Sequence, residues 1–319
     1  NNPLSGSNLG QSGAERAFDH KEGQFQLGMA QVKLFYSHNK SEAVIDLAFG
    51  LHADLANYGN VTGPLGPTTA FAAKQAYFTY KPSKKFSITA GQFSTHVGYE
   101  VIDSPCNINY SLSNLFCNGP YYHTGIKTNF RFGEQINFTA GVVNNWDNLY
   151  DNNRYKTLLA QIAIVPSGKF SAYINWIGGD EDNHPSGDSL NVRSFKQLFD
   201  LVNYWQVTEN FFLGMNAAFG IYSNDTLGAK NWGGVTFYTN YAFTEKVRAA
   251  LRIEHLDNTM GVQYIGPTDV TSLTATLVFT MADGHLLFKP EYRMDNYKKL
   301  KYSGPPASDI QQFEDSDGN

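Results

Sequence analysis

Apolar and polar residues alternate along most of this chain with a period of two, the signature of β-strands whose two faces meet different surroundings. In Phe211–Tyr222, Phe211, Leu213, Met215, Ala217, Phe219 and Ile221 share one face, and Gly214, Asn216, Ala218 and Gly220 share the other. Ile136, Phe138, Ala140 and Val142 alternate with Asn137, Thr139 and Gly141; Leu273, Ala275, Leu277, Phe279 and Met281 alternate with Ser272, Thr274, Thr276 and Thr280. Comparable runs cover 25–37, 42–53, 71–81, 86–95, 121–132, 155–165, 169–178, 195–207, 233–244, 246–257 and 285–297. Together they predict about 14 visible strands with no helix between them.

The connections alternate as well. Short turns at 38–42, 82–85, 133–135, 166–168, 208–210, 244–245 and 282–284 fall at one end of the strands. Longer connections rich in Gly, Asn, Asp and Pro, such as 57–70, 95–120 and 178–193, fall at the other. Long strands joined this way form an antiparallel up-and-down meander. Closure into a barrel removes the two exposed edges that such a meander would otherwise leave. The first and last runs both stop on the long-loop side, whereas outer-membrane barrels end on the short-turn side. This parity predicts one further strand at each end, about 16 in total. The expected domain layout is a polar external segment at 1–24, a transmembrane barrel at 25–297, and a polar external loop at 298–319 leading to a final strand.

A barrel of this many strands is too wide for side chains to fill, so its interior is wet and its apolar face points outward into lipid. Strands of 10 to 13 residues suit a tilted crossing of the hydrocarbon. Aromatics near strand ends, among them Tyr77, Tyr80, Tyr121, Trp146, Trp205, Tyr222, Trp232, Tyr292 and Tyr297, fit interfacial girdles. Composition agrees. The charge of -5 gives no basic footprint for nucleic acid, mean hydropathy is -0.36, and no apolar run is long enough for a transmembrane helix. The chain starts at Asn1 with neither an initiator Met nor a signal peptide, so it reads as mature, trimmed, or both.

The opposite parity then lines the pore. It assigns Asp46, His52, His123, Lys127, Asn129, Arg131 and Asn175 inward, followed by Arg248, Arg252, Glu254, Lys289, Glu291, Arg293 and Asp295. Such charges stay hydrated in a lumen, whereas a midplane Arg or Lys facing lipid costs about 2–4 kcal/mol. Their signs are mixed, so strong ion selectivity is not expected. Parity is ambiguous in 25–37, 71–81 and 194–207.

Catalytic and nucleotide signatures (Gly-x-Ser-x-Gly, Walker A, Gly-x-Gly-x-x-Gly, His-Glu-x-x-His) do not occur, and no enzyme activity or cofactor is expected. The stretch Gly178–Ser189 concentrates Asp180, Glu181, Asp182 and Asp188 without the spacing of an EF-hand; its Asp180, Asp182 and Asp188 form a weak calcium candidate against a merely solvated acidic loop. His96 and His123 bracket the loop that carries Asp103, a weak metal or catalytic pairing set against two histidines in a wet vestibule.

The segments FQLGMAQVKLFYS (25–37), FAAKQAYFTYKP (71–82), FSITAGQFSTHVGYEVID (86–103), NYSLSNLFCNGPYYHTGIK (109–127) and LLFKPEYRMDN (286–296) resemble the OmpL-like beta-barrel outer-membrane porin family of Bacteroidota. The resemblance implies a barrel in the outer membrane of a Gram-negative bacterium, matured by signal-peptide removal, with membrane lipid around it and small polar solutes passing through. A homo-oligomer or a larger outer-membrane assembly is compatible with it, and an accessory barrel subunit with a plugged lumen is the alternative to a diffusion channel.

The chain's two cysteines, Cys106 and Cys117, both lie in the polar loop 95–120. One disulfide or two unrelated thiols fit, and the polar setting favours the bridge, whose closure would contribute roughly 3 kcal/mol. With one earlier strand counted, this is the third external loop. In general porins the third loop folds into the lumen, a fold-level analogy that makes Glu100, Asp103, Asn107, Asn109, Tyr110, Ser111 and Asn114 the expected constriction residues. An external flap is the alternative.

Overall fold

The computed structural model describes residue 18 and residues 25–56, 73–148, 151, 153, 155–181, 194–224, 228–262 and 267–298. Its strands are β1 Ala30–His38, β2 Ser41–Phe49, β3 Ala73–Ser83, β4 Phe86–Ser94, β5 Tyr122–Phe132, β6 Ile136–Val143, β7 Thr157–Ser167 and β8 Phe170–Gly179. They continue as β9 Ser194–Gln206, β10 Phe211–Asn224, β11 Gly228–Ala242, β12 Val247–Asn258, β13 Thr268–Met281, β14 Leu286–Phe288 and β15 Glu291–Tyr297. Each pairs antiparallel with its sequence neighbour in one sheet, except that β14 and β15 both pair with β13. These two are one pass interrupted at Lys289–Pro290, where Pro has no N–H to give the ladder. The 15 segments therefore make the 14 expected passes. Among the described residues β1 pairs only with β2, and β15 only with β13, so the first and last strands are not joined directly.

The two faces separate as the alternation predicts. On β12, Ile253 is exposed while Arg252, Glu254 and Leu256 are buried. On β10, Phe219 is exposed while Gly214, Asn216 and Gly220 are buried. A belt of exposed large apolar side chains, including Ile126, Phe130, Ile162, Ile174, Phe199, Phe237 and Leu277, covers the outer surface as lipid requires. The polar parity points inward.

One assignment needs correction. The run 42–53 stops being a strand at Phe49, and His52 belongs to helix α1, Leu51–Ala56, instead of lining the pore from a strand. Gly50 adopts φ +107°, a left-handed turn that glycine tolerates, and a Cβ there would lie 2.9 Å from the Gly28 carbonyl oxygen. The chain then turns inward: the His52 amide donates to the Gly28 carbonyl at 2.9 Å, and the His52 ring meets Phe18 edge-on at 5.6 Å. The calls for 1–24 and 298–319 lie outside the described residues apart from Phe18 and Lys298.

Candidate functional site

The connection from Thr95 to Tyr121 leaves β4 and folds inside the curled sheet, where its polar groups bond to inward-facing side chains of strands far away in sequence. Its second helix, α2 (Asn114–Cys117), is capped by Ser113, whose hydroxyl accepts the Phe116 N–H.

Arg252 is the hub. It is fully buried, and its guanidinium donates to Glu100 at 2.8 Å, to the Ser111 carbonyl at 2.5 Å and to the Thr274 hydroxyl at 3.2 Å. Glu254, 3.7 Å from Arg252, accepts the Asn114 N–H at 2.7 Å. Arg293 lies 3.4 Å from Glu254, bonds Asp295 at 2.8 Å, and donates to the Leu112 carbonyl at 2.7 Å and Asn114 Oδ1 at 3.0 Å. Glu291 accepts the N–H groups of Tyr110 and Ser111 at 2.7 and 3.0 Å, and Lys289 donates to the carbonyls of Ser104 and Asn107. Asn109 reaches the Thr276 hydroxyl at 2.8 Å. Five of the inward-facing charges read from the alternation (Arg252, Glu254, Lys289, Glu291 and Arg293) thus hold the loop instead of facing open water.

A strand from the other end of the sheet holds the loop too. Lys74 on β3 pairs with Asp103 and lies 3.8 Å from Asp46, which also accepts from Gln31 and Gln75. The loop therefore bonds to β3 near one end of the strand order and to β15 at the other. Asn107 bonds both the amide and the carbonyl of Val101, so it shapes the loop itself.

An aromatic key completes the seat. Tyr99 stacks between Tyr238 and Tyr204, at centroid distances of 3.9 and 4.5 Å. Its ring fills the space where a Cβ on Gly214 would lie 2.6 Å away. Beside it, the Gly98 N–H donates to Asp200, a buried carboxylate that also accepts from Asn175 and Asn216. Tyr99, Asp200, Tyr204, Tyr238 and Lys74 were not singled out by the alternation. Asp200 and Tyr204 sit in the strand of ambiguous parity, and Tyr99 has only its place in the loop to mark it.

At the loop root, the His96 and His123 rings lie 5.9 Å apart. His96 meets the Trp176 carbonyl and His123 the Thr95 hydroxyl, while Asp103 is engaged by Lys74, so the three do not converge. Burial holds the His96 imidazole down at about 4. Among the described residues no group of three metal-ligating side chains comes together. Asp180 accepts the Ser194 hydroxyl, and Asp182 and Asp188 lie outside the described residues.

The expected disulfide is a second correction. Cys106 is exposed, whereas Cys117 is buried in α2 with Phe18, Ile102, Leu112 and Phe116, and no bond joins them. Cys106 lies at the surface and Cys117 packs into the apolar cluster, so the two thiols meet different surroundings.

Lys127 on β5 sits 4.0 Å over the Phe93 ring, and Asn129 bonds Thr139. Arg131 on β5 and Arg248 on β12 keep the inward parity near the short-turn end and are exposed.

An antiparallel barrel wall, an apolar outer belt and a long loop seated across the lumen define the class of outer-membrane β-barrel porins. The chain belongs to the family described as "Putative beta-barrel porin-2, OmpL-like", whose model matches residues 1–315. No curated protein matches it. Among solved structures it is similar in fold to OmpF of Salmonella typhi in a complex with daunomycin, with TM-score 0.60, 12% identity, and 85% of this chain and 84% of that one covered. OmpT of Vibrio cholerae lacking loop L8 gives TM-score 0.56 at 11% identity, covering 85% of each chain. The outer-membrane channel DcaP of Acinetobacter baumannii gives 0.55 at 12%, covering 85% of this chain and 79% of that one.

Proposed function

We propose that the protein is a passive diffusion channel for small hydrophilic solutes in the outer membrane of a Gram-negative bacterium, with no covalent chemistry. The observation that carries this reading is the Thr95–Tyr121 loop, seated against the inward faces of β3, β9, β12, β13 and β15, where it can narrow the lumen. A narrowed, polar-lined passage sieves by size and charge and needs no catalytic group. Single-channel recording of the purified protein in planar bilayers tests it: discrete open-state conductance is expected, and a silent bilayer with correctly folded protein would sink it.

A second reading is an accessory barrel in a larger outer-membrane assembly. One observation favours it: Phe93, Val97, Leu115, Trp146, Leu198 and Trp232 form a buried apolar cluster inside the wall at the level of the loop, so Trp146 and Trp232 face inward and do not join the interfacial girdles. Co-purification of the full chain with stoichiometric partners and no conductance would support that reading over the channel.

A further inference from the structure

Charge is distributed unevenly along the lumen. At the level of the loop the carboxylates are spent: Asp46, Asp103, Asp200, Glu254 and Glu291 each accept from a loop or wall donor. On the short-turn side the inward Glu42 is paired with Lys81. Arg131 and Arg248 differ. Both are exposed, both share the parity of residues that line the lumen, and among the described residues neither guanidinium has a hydrogen bond or an ion pair. They stand on β5 and β12, seven strands apart in a meander of 14 passes, and so on opposite walls. Lys127, two pleat repeats from Arg131 on the same face, sits over an aromatic ring and among the described residues has no ion pair. The short turns outside carry both signs, as in Lys84 and Lys169 beside Glu134 and Glu209, and set no net field.

From this we infer that the short-turn chamber makes the pore anion-selective, favouring small carboxylate and phosphate anions over cations of the same size. The inference rests on the channel reading. Two guanidinium groups with no carboxylate partner among the described residues enrich anions in the confined water they line, because a fixed charge there is screened only over a Debye length of about 8–10 Å at moderate salt. The guanidinium fork also matches the oxygen spacing of carboxylate and phosphate.

The test is the reversal potential of the full chain in planar bilayers under a KCl gradient, repeated with potassium acetate and potassium phosphate. The expected result is a potential on the anion side, with the anion-to-cation permeability ratio falling about twofold for each charge removed in R131Q and R248Q, and further in the double variant. The preference should weaken as salt is raised. A conducting wild type with a cation-side potential overturns the inference and leaves the channel reading standing. Anion preference unchanged in both variants overturns the assignment to these two residues. An absence of conductance removes the channel reading itself.

Discussion

The two halves of the lumen are built from the same strands with the same alternation, yet they do opposite things. On the long-loop side the inward residues are packed and dry: Arg252, Asn175, Thr274 and Ser272 are almost fully buried because the Thr95–Tyr121 loop covers them. On the short-turn side Arg131 and Arg248 occupy equivalent parity and remain in water. Parity decides which way a side chain points, and a segment from elsewhere in the chain decides what it meets. An inward charge is a clamp in one half and an exposed charge in the other.

The sharpest way to break this contrast is to remove the hub. Arg252→Ala leaves Glu100 and Glu254 buried without their shared cation, a loss of about 3–5 kcal/mol. Urea unfolding in detergent should show that loss, and the open-state conductance should rise as the loop loosens. A variant of unchanged stability would mean that the loop is held elsewhere. The key comes next. Tyr99→Ala forfeits two stacked ring contacts of about 0.5–1.5 kcal/mol each, and should raise protease cleavage within the loop while leaving the wall intact. Tyr99→Phe should restore most of the protection.

A smaller effect follows from pH at the long-loop mouth. Burial pushes Asp147 and Glu181 up to about 7, although the N–H groups of Tyr121 and Tyr122 and of Trp146 partly offset this. Acids whose folded pKa is raised stabilise the fold below their unfolded pKa, near 4, and that contribution is lost as pH rises through about 7. Raising pH from 6 to 8 should therefore loosen the backbone around Trp146, by on the order of 1 kcal/mol per group. Hydrogen exchange at the two pH values measures it, and Asp147→Asn should remove its share of the pH dependence. His96 has the opposite sign. Its lowered pKa contributes stability above about 6.5 that is lost as pH falls towards 4, so acid should open the loop root. The smallest effect is at the thiols: with no bridge between Cys106 and Cys117, a reductant should leave conductance noise and stability unchanged.

Much of the barrel was legible in the sequence, and the failures have physical causes. Strands such as β10, β12 and β13 alternate cleanly because lipid and a polar interior make unlike demands on their two faces. The alternation blurs in β9 because Leu198 points inward into the apolar cluster and Val202 is buried on the same face, while Phe199 and Leu201 point outward, so both faces are apolar at one level. β3 blurs likewise, with Tyr77 inward and Phe78 outward. The error at His52 came from reading past Gly50, whose left-handed backbone ends the strand. That loop 95–121 enters the lumen was accessible only by analogy. Its partners are not local: Glu100 and Arg252 are 152 positions apart, and no spacing in the sequence couples them.

That separation also orders events during assembly. Glu100, Ser111 and Asn114 all precede β5, and the groups that hold them arrive on β12, β13 and β15 near the end of the described chain. Contacts this distant in sequence close slowly, after the local hairpins have formed. Until β12 and β15 enter the sheet, Glu100 and the carbonyls of Ser111 and Leu112 lack the guanidinium donors of Arg252 and Arg293. Seating the loop is therefore the step that reports completion of the barrel, and a chain stalled before β12 would carry an unfilled interior.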